Sequence, residues 1–346
     1  MTTPVAKTRR WGLIIPWAIA ALIAFGWCGY WIVLQGTVRN ALAAWSQAQA
    51  EATGRPGYAT LTTGGFPLRL EVRLMEAALV DPRGAYVAAT PVALAAVDPL
   101  NPQHVILSFP APVAYRLEDG AERLLTGDRV AASVRLAGDR LARASFSAEG
   151  LAIAASDAAA GQGLFFAEFG VHVRPDERNA ADWQVAIAGK GIRFGSPVQA
   201  FEAFGQEMSR LQIGVVLSKA EALAAAGDPL ELWRQAGGEG RLEALDIVWG
   251  PFTATGEGVL RLDAAHRLEG TLNLRPGDMR LFLDAMATED DHPLAAILAE
   301  GLEASTVTLT AQAGVLRWQA DTPLGEIAPQ PLRTLGPIRP QASIRP

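Results

Sequence analysis

An uncharged apolar stretch near the N-terminus constrains this chain more than any other feature. No Asp, Glu, Lys or Arg occurs between Arg10 and Arg39, and residues 12–34 read GLIIPWAIAALIAFGWCGYWIVL. A helix over residues 11–34 would be about 36 Å long at 1.5 Å per residue, enough to cross the roughly 30 Å hydrocarbon core of a bilayer. The sequence therefore predicts a transmembrane helix over residues 11–34, with everything after it on one side of a membrane.

The flanks of this span predict its orientation. Residues 1–10 carry Lys7, Arg9 and Arg10, and aromatic rings gather toward the ends of the span at Trp11, Trp17, Trp27, Tyr30 and Trp31. The positive-inside rule keeps such a basic tail in the cytoplasm and exports the rest of the chain. A cleaved signal peptide usually has a shorter apolar core of about 7–15 residues, so we favour an uncleaved signal-anchor.

The remainder of the chain is acidic and almost free of cysteine. The basic tail holds three of the 30 Lys and Arg residues and none of the 36 Asp and Glu residues, so residues 11–346 carry 27 positive against 36 negative charges, a formal charge of −9. An acidic body does not attract nucleic acid by electrostatics. Cys28 is the single cysteine, which excludes an internal disulfide and a zinc site built from cysteines. We interpret Cys28 as a buried apolar residue.

Residues 64–74 give the strongest local signal after the span. Four apolar side chains alternate there with three charged ones, Leu68, Leu70, Val72 and Leu74 against Arg69, Glu71 and Arg73. This period of two predicts a half-buried strand. Gly64, Gly65 and Pro67 predict a bend or bulge where that strand enters the sheet.

Short apolar runs and turn residues along the rest of the chain predict an α+β, mainly β, fold. Strands are expected over residues 129–136, 141–153, 164–173, 183–188, 192–194, 241–249, 252–262, 266–274, 306–311 and 315–320. We expect one large, curved, mostly antiparallel sheet in two similar halves, with helices covering one face. The predicted segments are a cytoplasmic tail (1–10), the span (11–34), a helical spacer (35–56), a first β-rich half (57–195), a helical insertion (196–237), a second β-rich half with two helices (238–327) and a Pro-rich extended tail (328–346).

Helices are predicted around and between the two halves. The Ala-rich run 37–53 continues the span, either as a spacer above the membrane or as a first helix packed on the sheet. Ser196-Pro197 marks a helix start, and apolar residues then recur at roughly helical spacing at Val198, Phe201, Phe204, Met208 and Leu211. Further helices are expected from Asp228-Pro229, over residues 278–287 and over residues 293–302. The body is rich in aromatic and aliphatic side chains. If some of them line a groove in the sheet, we expect Phe201, Phe204 and Met208 to cover or line it.

No catalytic motif rises above background. The run from Gly189 to Gly195 lacks the third glycine of a dinucleotide-binding turn, because Phe194 stands in its place. The acidic cluster over residues 289–292 fits a solvated capping loop before Pro293 better than a cation site. Four histidines occur without a G-x-S-x-G elbow. We therefore predict no catalytic residue, no cofactor and no metal, with a hydrolase as a minor alternative.

The order of these features carries a resemblance. A basic tail, one span, an Ala-rich helix and then Tyr58 followed by Gly65-Phe66-Pro67-Leu68-Arg69 resemble the DUF2125 family of uncharacterised single-span envelope proteins of Gram-negative bacteria. The resemblance implies an inner-membrane protein with a cytoplasmic N-terminus and a periplasmic body, and no known activity. The chain is also distantly similar to AsmA-like proteins, whose β-rich bodies form lipid-holding grooves. Gly65, Phe66, Pro67 and Arg69 are expected to serve the entry of the chain into the sheet.

Two hypotheses about function follow from this architecture. The first is a non-enzymatic protein that binds lipid or another hydrophobic envelope component in an apolar groove of the curved sheet. The second is a scaffold that docks an envelope protein through an exposed sheet edge or the C-terminal tail. A continuous apolar groove open at one end favours the first, and a closed core with a bare strand edge favours the second.

Overall fold

The computed structural model describes residues 11–80, 86–117, 121–138, 140–158, 161–195, 204–224, 228–278, 306–313, 315–322, 325–326 and 330–334. Within these ranges the chain forms two α-helices, a 3₁₀ turn and eighteen strands that all belong to one sheet. The expected α+β, mainly β, fold class is confirmed.

Helix α1 (Trp11–Thr53) is a single 43-residue helix that contains both the uncharged span and the Ala-rich run. It is long and apolar enough to cross a membrane. At its C-terminal end the N–H of Gly54 donates to the carbonyl of Ala50 at 2.8 Å, and Gly54 has a positive φ of +73°, which is a common helix termination. The helix predicted over residues 37–53 is thus confirmed as the second part of α1.

The second part of α1 packs on the sheet. Val38 and Leu42 of this part, together with Trp31 and Leu34 at the end of the span, pack in one apolar cluster with buried residues of β2 and β3. The side chain of Gln49 is buried, and its amide group donates to the carbonyl of Ala78 at 3.1 Å and accepts from the N–H of Val80 at 3.2 Å. Of the two roles left open for this run, the structure therefore supports a first helix packed on the sheet.

The strands form an antiparallel meander in chain order. Their bounds are β1 (Thr60–Gly64), β2 (Leu70–Val80), β3 (Tyr86–Asp98), β4 (Asn101–Ser108), β5 (Val113–Leu117), β6 (Glu122–Thr126), β7 (Arg129–Ala137), β8 (Arg140–Ala155), β9 (Leu164–Pro175), β10 (Trp183–Phe194), β11 (Glu207–Leu217), β12 (Gly240–Trp249), β13 (Phe252–Leu262), β14 (Leu268–Pro276), β15 (Thr306–Gln312), β16 (Val315–Thr322), β17 (Gly325–Glu326) and β18 (Gln330–Thr334). From β8 to β16 each strand pairs with the next one along the chain.

Two positions in the meander are each occupied by a pair of shorter strands, the first by β4 and β5 and the second by β6 and β7. One end of β3 pairs with β4 and its other end with β5, and β8 is shared in the same way by β7 and β6. The link between β4 and β5 contains Pro110 and Pro112, which have no N–H to donate to a ladder. The sheet thus continues from β1 to β18 without a change of strand order.

Two glycines allow a local change of side-chain direction within their strands. Gly150 in β8 has φ +59° and Gly191 in β10 has φ +56°, in the left-handed region that glycine adopts without steric cost. Ala148 and Leu151 flank the first glycine, and both are buried in the same apolar cluster although they are three residues apart. In a regular strand that spacing would place them on opposite faces.

The helix predicted from Ser196 through Leu211 is wrong over its last part. Residues from Glu207 onward form strand β11, which pairs with β10 on one side and β12 on the other. The apolar side chains continue with a period of two at Ile213, Val215 and Leu217, and the two neighbouring strands offer its backbone ladder partners on both sides. Phe201 lies outside the described residues.

The C-terminal expectations have mixed outcomes. Residues Gln330–Thr334 form β18 and pair with β16, so the tail predicted to be extended and unpacked begins as a strand of the sheet. A proline such as Pro331 is compatible with a last strand. The predicted helix over residues 293–302 lies outside the described residues, as does the one over residues 278–287 beyond Asp278.

Helix α2 (Pro229–Gln235) confirms the helix expected at Asp228-Pro229. The carboxylate of Asp228 accepts from the N–H groups of Leu230 and Glu231 at 3.1 and 3.2 Å, which caps the helix. Glu231 then joins α2 to the turn before β14, because its carboxylate accepts from Arg234 and lies 2.8 Å from Nε2 of His266. These contacts, that with Arg234 first, hold the pKa of Glu231 well below its usual value of 4.5.

We expect Glu231→Gln to lower the melting temperature at neutral pH and to lose this effect in acid. A carboxylate whose pKa is depressed by folding stabilises the fold above its unfolded-state pKa of about 4.5, and this contribution fades as the pH falls toward the folded-state value. Melting curves of the full chain in detergent at several pH values between about 7 and 3 measure the difference. Glu257→Gln, at an exposed carboxylate 3.5 Å from Arg275, is the control. A wild-type advantage over Glu231→Gln that stays constant down to the lowest pH would contradict the prediction.

Candidate functional site: the apolar face of the sheet

One face of the sheet carries apolar side chains in register across twelve successive strands. The first row consists of Leu70, Val97, Val105, Val134, Ala144, Val173, Val185, Val215, Leu242, Gly258, Leu272 and Leu309. The second row consists of Val72, Ala95, Leu107, Ala132, Phe146, Val171, Ile187, Ile213, Leu245, Gly256, Leu274 and Val307. Cross-strand partners lie on the same face of a sheet. Neither row contains a polar side chain, and eleven steps of about 4.8 Å make each row about 53 Å long.

The two rows begin beneath α1. Leu70, Val72 and Val97 are 0, 1 and 5 % exposed, because side chains of α1 from Trp31 to Leu42 pack on them. Farther along, row members such as Val185 and Val215 are only half-buried. The helix that carries the span and the apolar face of the sheet therefore form one continuous apolar surface.

An aromatic cluster widens this face beside β11, β12 and β13. Met208 pairs in register with Trp249, which pairs with Phe252. Phe204 is 3 % exposed; its ring stacks on that of Phe252 with 4.4 Å between centroids and meets that of Trp249 edge-on at 5.6 Å. The indole N–H of Trp249 donates to the carbonyl of Gly205 at 2.7 Å. Phe204 and Met208 thus lie together in the buried part of the apolar cluster, although Phe204 precedes β11 and Met208 belongs to it.

The opposite face is charged. Its ion pairs join neighbouring strands: Lys190 to Glu168 at 2.7 Å, Arg210 to Asp246 at 3.1 Å, and Arg129 to Glu149. The hydrogen bond and charge of Glu149 raise the pKa of Arg129. Exposed pairs of this kind add little stability. They show instead that this face meets water, so the sheet is amphipathic over its width.

The expected strand-entry motif forms the β1–β2 turn. The Phe66–Pro67 peptide bond is cis, and the N–H of Arg69 donates to the carbonyl of Gly65 at 3.1 Å. The ring of Phe66 meets that of Trp31 edge-on at 5.4 Å, and Arg69 forms an ion pair with Glu71. Strand β2 begins at Leu70. The prediction that Leu68 belongs to this strand is therefore wrong, because residues 65–69 form the turn.

One histidine of the described sheet contacts a serine across neighbouring strands. Nδ1 of His172 lies 3.0 Å from Oγ of Ser145, a contact that the sequence did not predict because it depends on the register of β8 and β9. Both residues lie on the charged face, and no carboxylate among the described residues bonds the imidazole of His172. The described ranges also contain no group of three His, Cys, Asp or Glu residues placed to hold a metal. The glycine-containing run from Gly189 lies largely within β10.

Comparison with known proteins gives one result. A family model described as an uncharacterized protein conserved in bacteria, DUF2125, matches residues 31–325. No curated protein and no solved structure matches the chain. The distant similarity to AsmA-like proteins stays an expectation.

We expect Phe204→Ala to lower the free energy of unfolding by about 3–5 kcal/mol, because it leaves a cavity between Phe252 and Trp249. Phe66→Ala removes the same atoms from a side chain that is 52 % exposed, and its cost is expected to be clearly smaller. Chemical denaturation of the full chain in detergent compares the two variants. Equal costs would show that the cluster around Phe204 is not a packed core.

Proposed function

Because the chain belongs to the DUF2125 family of uncharacterized bacterial proteins, membership brings no activity with it, and we propose a function from the sheet itself. The protein is a non-enzymatic binder of acyl chains, from lipid or another hydrophobic envelope component, along the two apolar rows. Helix α1 anchors it in the inner membrane. Its basic tail is cytoplasmic and its body lies in the periplasm, in keeping with the positive-inside rule.

The observation that carries this proposal is the composition of the two rows. Twelve successive strands contribute no polar side chain to either row, and the rows start at the anchor helix. Each methylene group removed from water contributes about 0.8 kcal/mol. An alkyl chain with a dozen buried methylenes would therefore gain on the order of 10 kcal/mol before the cost of ordering it. Half-buried row members such as Val185 and Val215 leave apolar surface for such contacts.

The charged outer face supports the same proposal. Its ion pairs and the acidic body keep one side of the sheet in water, while the two rows on the other side offer only apolar groups. A sheet of this kind separates a hydrophobic ligand from water without any hydrogen bond that would select a particular headgroup. We therefore propose a broad class of ligand, defined by its alkyl chains.

The test is native mass spectrometry of the full chain purified from its own envelope, with extraction of the lipids that co-purify. The full chain is needed because Trp31 and Leu34 of α1 pack on the start of the rows. Two variants separate ligand on the rows from lipid around the span. Val185→Asp places a carboxylate on the apolar face, and Ala186→Asp places one on the opposite face of the same strand.

We expect Val185→Asp to reduce the co-purifying amphiphile by about tenfold or more, since a buried unpaired charge costs several kcal/mol and 1.4 kcal/mol is a factor of ten. Ala186→Asp should match the wild type, and melting curves establish that both variants fold. The same amount of co-purifying amphiphile in the wild type and in both variants would contradict the proposal. Crosslinking for a protein partner at the edge of β1 or at the C-terminal tail would then test the scaffold hypothesis.

A further inference from the structure

Two turns of the sheet contact α1 inside its uncharged stretch. The indole N–H of Trp27 donates to the carbonyl of Pro67, in the β1–β2 turn, at 3.0 Å. The hydroxyl of Tyr30 donates to the carbonyl of Pro99, in the β3–β4 turn, at 2.7 Å. Together with the contact between Trp31 and Phe66, these bonds fix both turns at the level of Trp27 to Trp31 on the helix.

This level corresponds to the boundary of a bilayer. The segment from Trp11 to Tyr30 is already about 30 Å long as a helix, which matches the thickness of the hydrocarbon core. The next charged residue of α1 is Arg39, nine residues or about 13 Å beyond Tyr30. Tryptophan and tyrosine side chains concentrate where acyl chains meet headgroups. The two turns therefore lie at the depth of the lipid headgroups and the first acyl carbons.

The turns also expose the most apolar surface of the body. Outside α1, the two most exposed large apolar side chains in the described ranges are Leu68 at 83 % and Leu100 at 80 %, one in each turn, followed by Phe66 at 52 %. The next is Leu79 at 44 %. Single exposed leucines are ordinary on a protein surface. Two nearly bare leucines on adjacent turns, both tied to a membrane-spanning helix, indicate a surface that meets lipid.

We propose that these two turns insert into the leaflet on the body's side of the membrane, with Leu68, Leu100 and Phe66 in contact with acyl chains. The sheet is then docked on the bilayer. The charged groups of the turns lie at the rim, where Arg69 pairs with Glu71 and the carboxylate of Asp98 accepts from the N–H of Leu100 at 2.9 Å. The inference rests on the anchoring span of the proposed function, and it does not require a ligand on the apolar rows.

The far end of β2 provides a matched control. Helix α1 and β2 run side by side in the same direction, since Trp31 contacts Phe66 at one end and Gln49 bonds to Ala78 at the other. The 18 residues from Trp31 to Gln49 rise by about 27 Å. Leu79 is an exposed leucine at this far end, so it should lie well outside the bilayer.

The experiment measures the depth of fluorescent labels in the full chain. In a Cys28→Ser background, Leu68→Cys, Leu100→Cys and Leu79→Cys are each labelled with an environment-sensitive nitrobenzoxadiazole. The proteins are reconstituted in phosphatidylcholine vesicles that contain lipid with a spin label near the top of the acyl chain. We expect several-fold stronger quenching by the spin-labelled lipid at positions 68 and 100 than at position 79, and the reverse order for quenching by aqueous iodide.

Equal quenching at the three positions, or access of iodide to positions 68 and 100 as free as to position 79, would overturn the inference. The labels replace exposed side chains, and melting curves confirm that the variants fold. Repeating the measurement with Val185→Asp separates the two proposals. Unchanged quenching in a protein that has lost its co-purifying amphiphile supports both, whereas unchanged quenching with no amphiphile in any form of the protein supports docking alone.

Discussion

The structure depends on the packing of α1 against the first strands of the sheet. A row of leucine and valine side chains on an open sheet is stable only where other groups shield it from water. At one end of the sheet α1 provides this shielding with Trp31, Leu34, Val38 and Leu42. The buried amide of Gln49 fixes the register of helix and sheet, because leaving the carbonyl of Ala78 and the N–H of Val80 without partners would cost roughly 1–3 kcal/mol for each group. The same helix that is long and apolar enough to cross a membrane is therefore part of the folded body.

This packing joins the two proposals physically. The rows that we propose as an acyl-chain site start under α1, and the turns that we propose as membrane contacts are bonded to Trp27 and Tyr30 of the same helix. A hydrophobic molecule leaving the leaflet beside Leu68 would meet apolar surface from its first contact. Removing α1 would expose Leu70, Val72 and Val97, which are among the least exposed side chains of the body. A body cut at the end of the span would consequently lose part of the apolar cluster that α1 forms with the first strands of the sheet.

Sequence patterns predicted single elements well and their assembly poorly. The helix over the span follows from an uncharged apolar stretch, and the strands β7, β8, β12 and β13 follow from short apolar or alternating runs, because both signals are local properties of a segment. The helix expected through Met208 and Leu211 failed because an apolar spacing of three or four residues also arises in a strand with a bulge, as between Met208 and Arg210. Strands β3 to β6 escaped prediction, since small residues such as Ala95 and Ala96 give little contrast between faces. The apolar rows depend on register across twelve strands, which no single segment encodes.

The order of the meander has a consequence for how the protein is made. Through most of the sheet a strand pairs with its predecessor in the chain, so each new hairpin needs only a strand that has already emerged. Contacts between near neighbours in sequence carry a small loop-closure cost and favour rapid pairing. If α1 is held in the bilayer, as we propose, and the residues after it are exported in chain order, the sheet would extend one strand at a time from a template fixed at the membrane. At any moment such growth leaves a single unpaired leading strand, which limits the period in which an exposed edge can capture another chain.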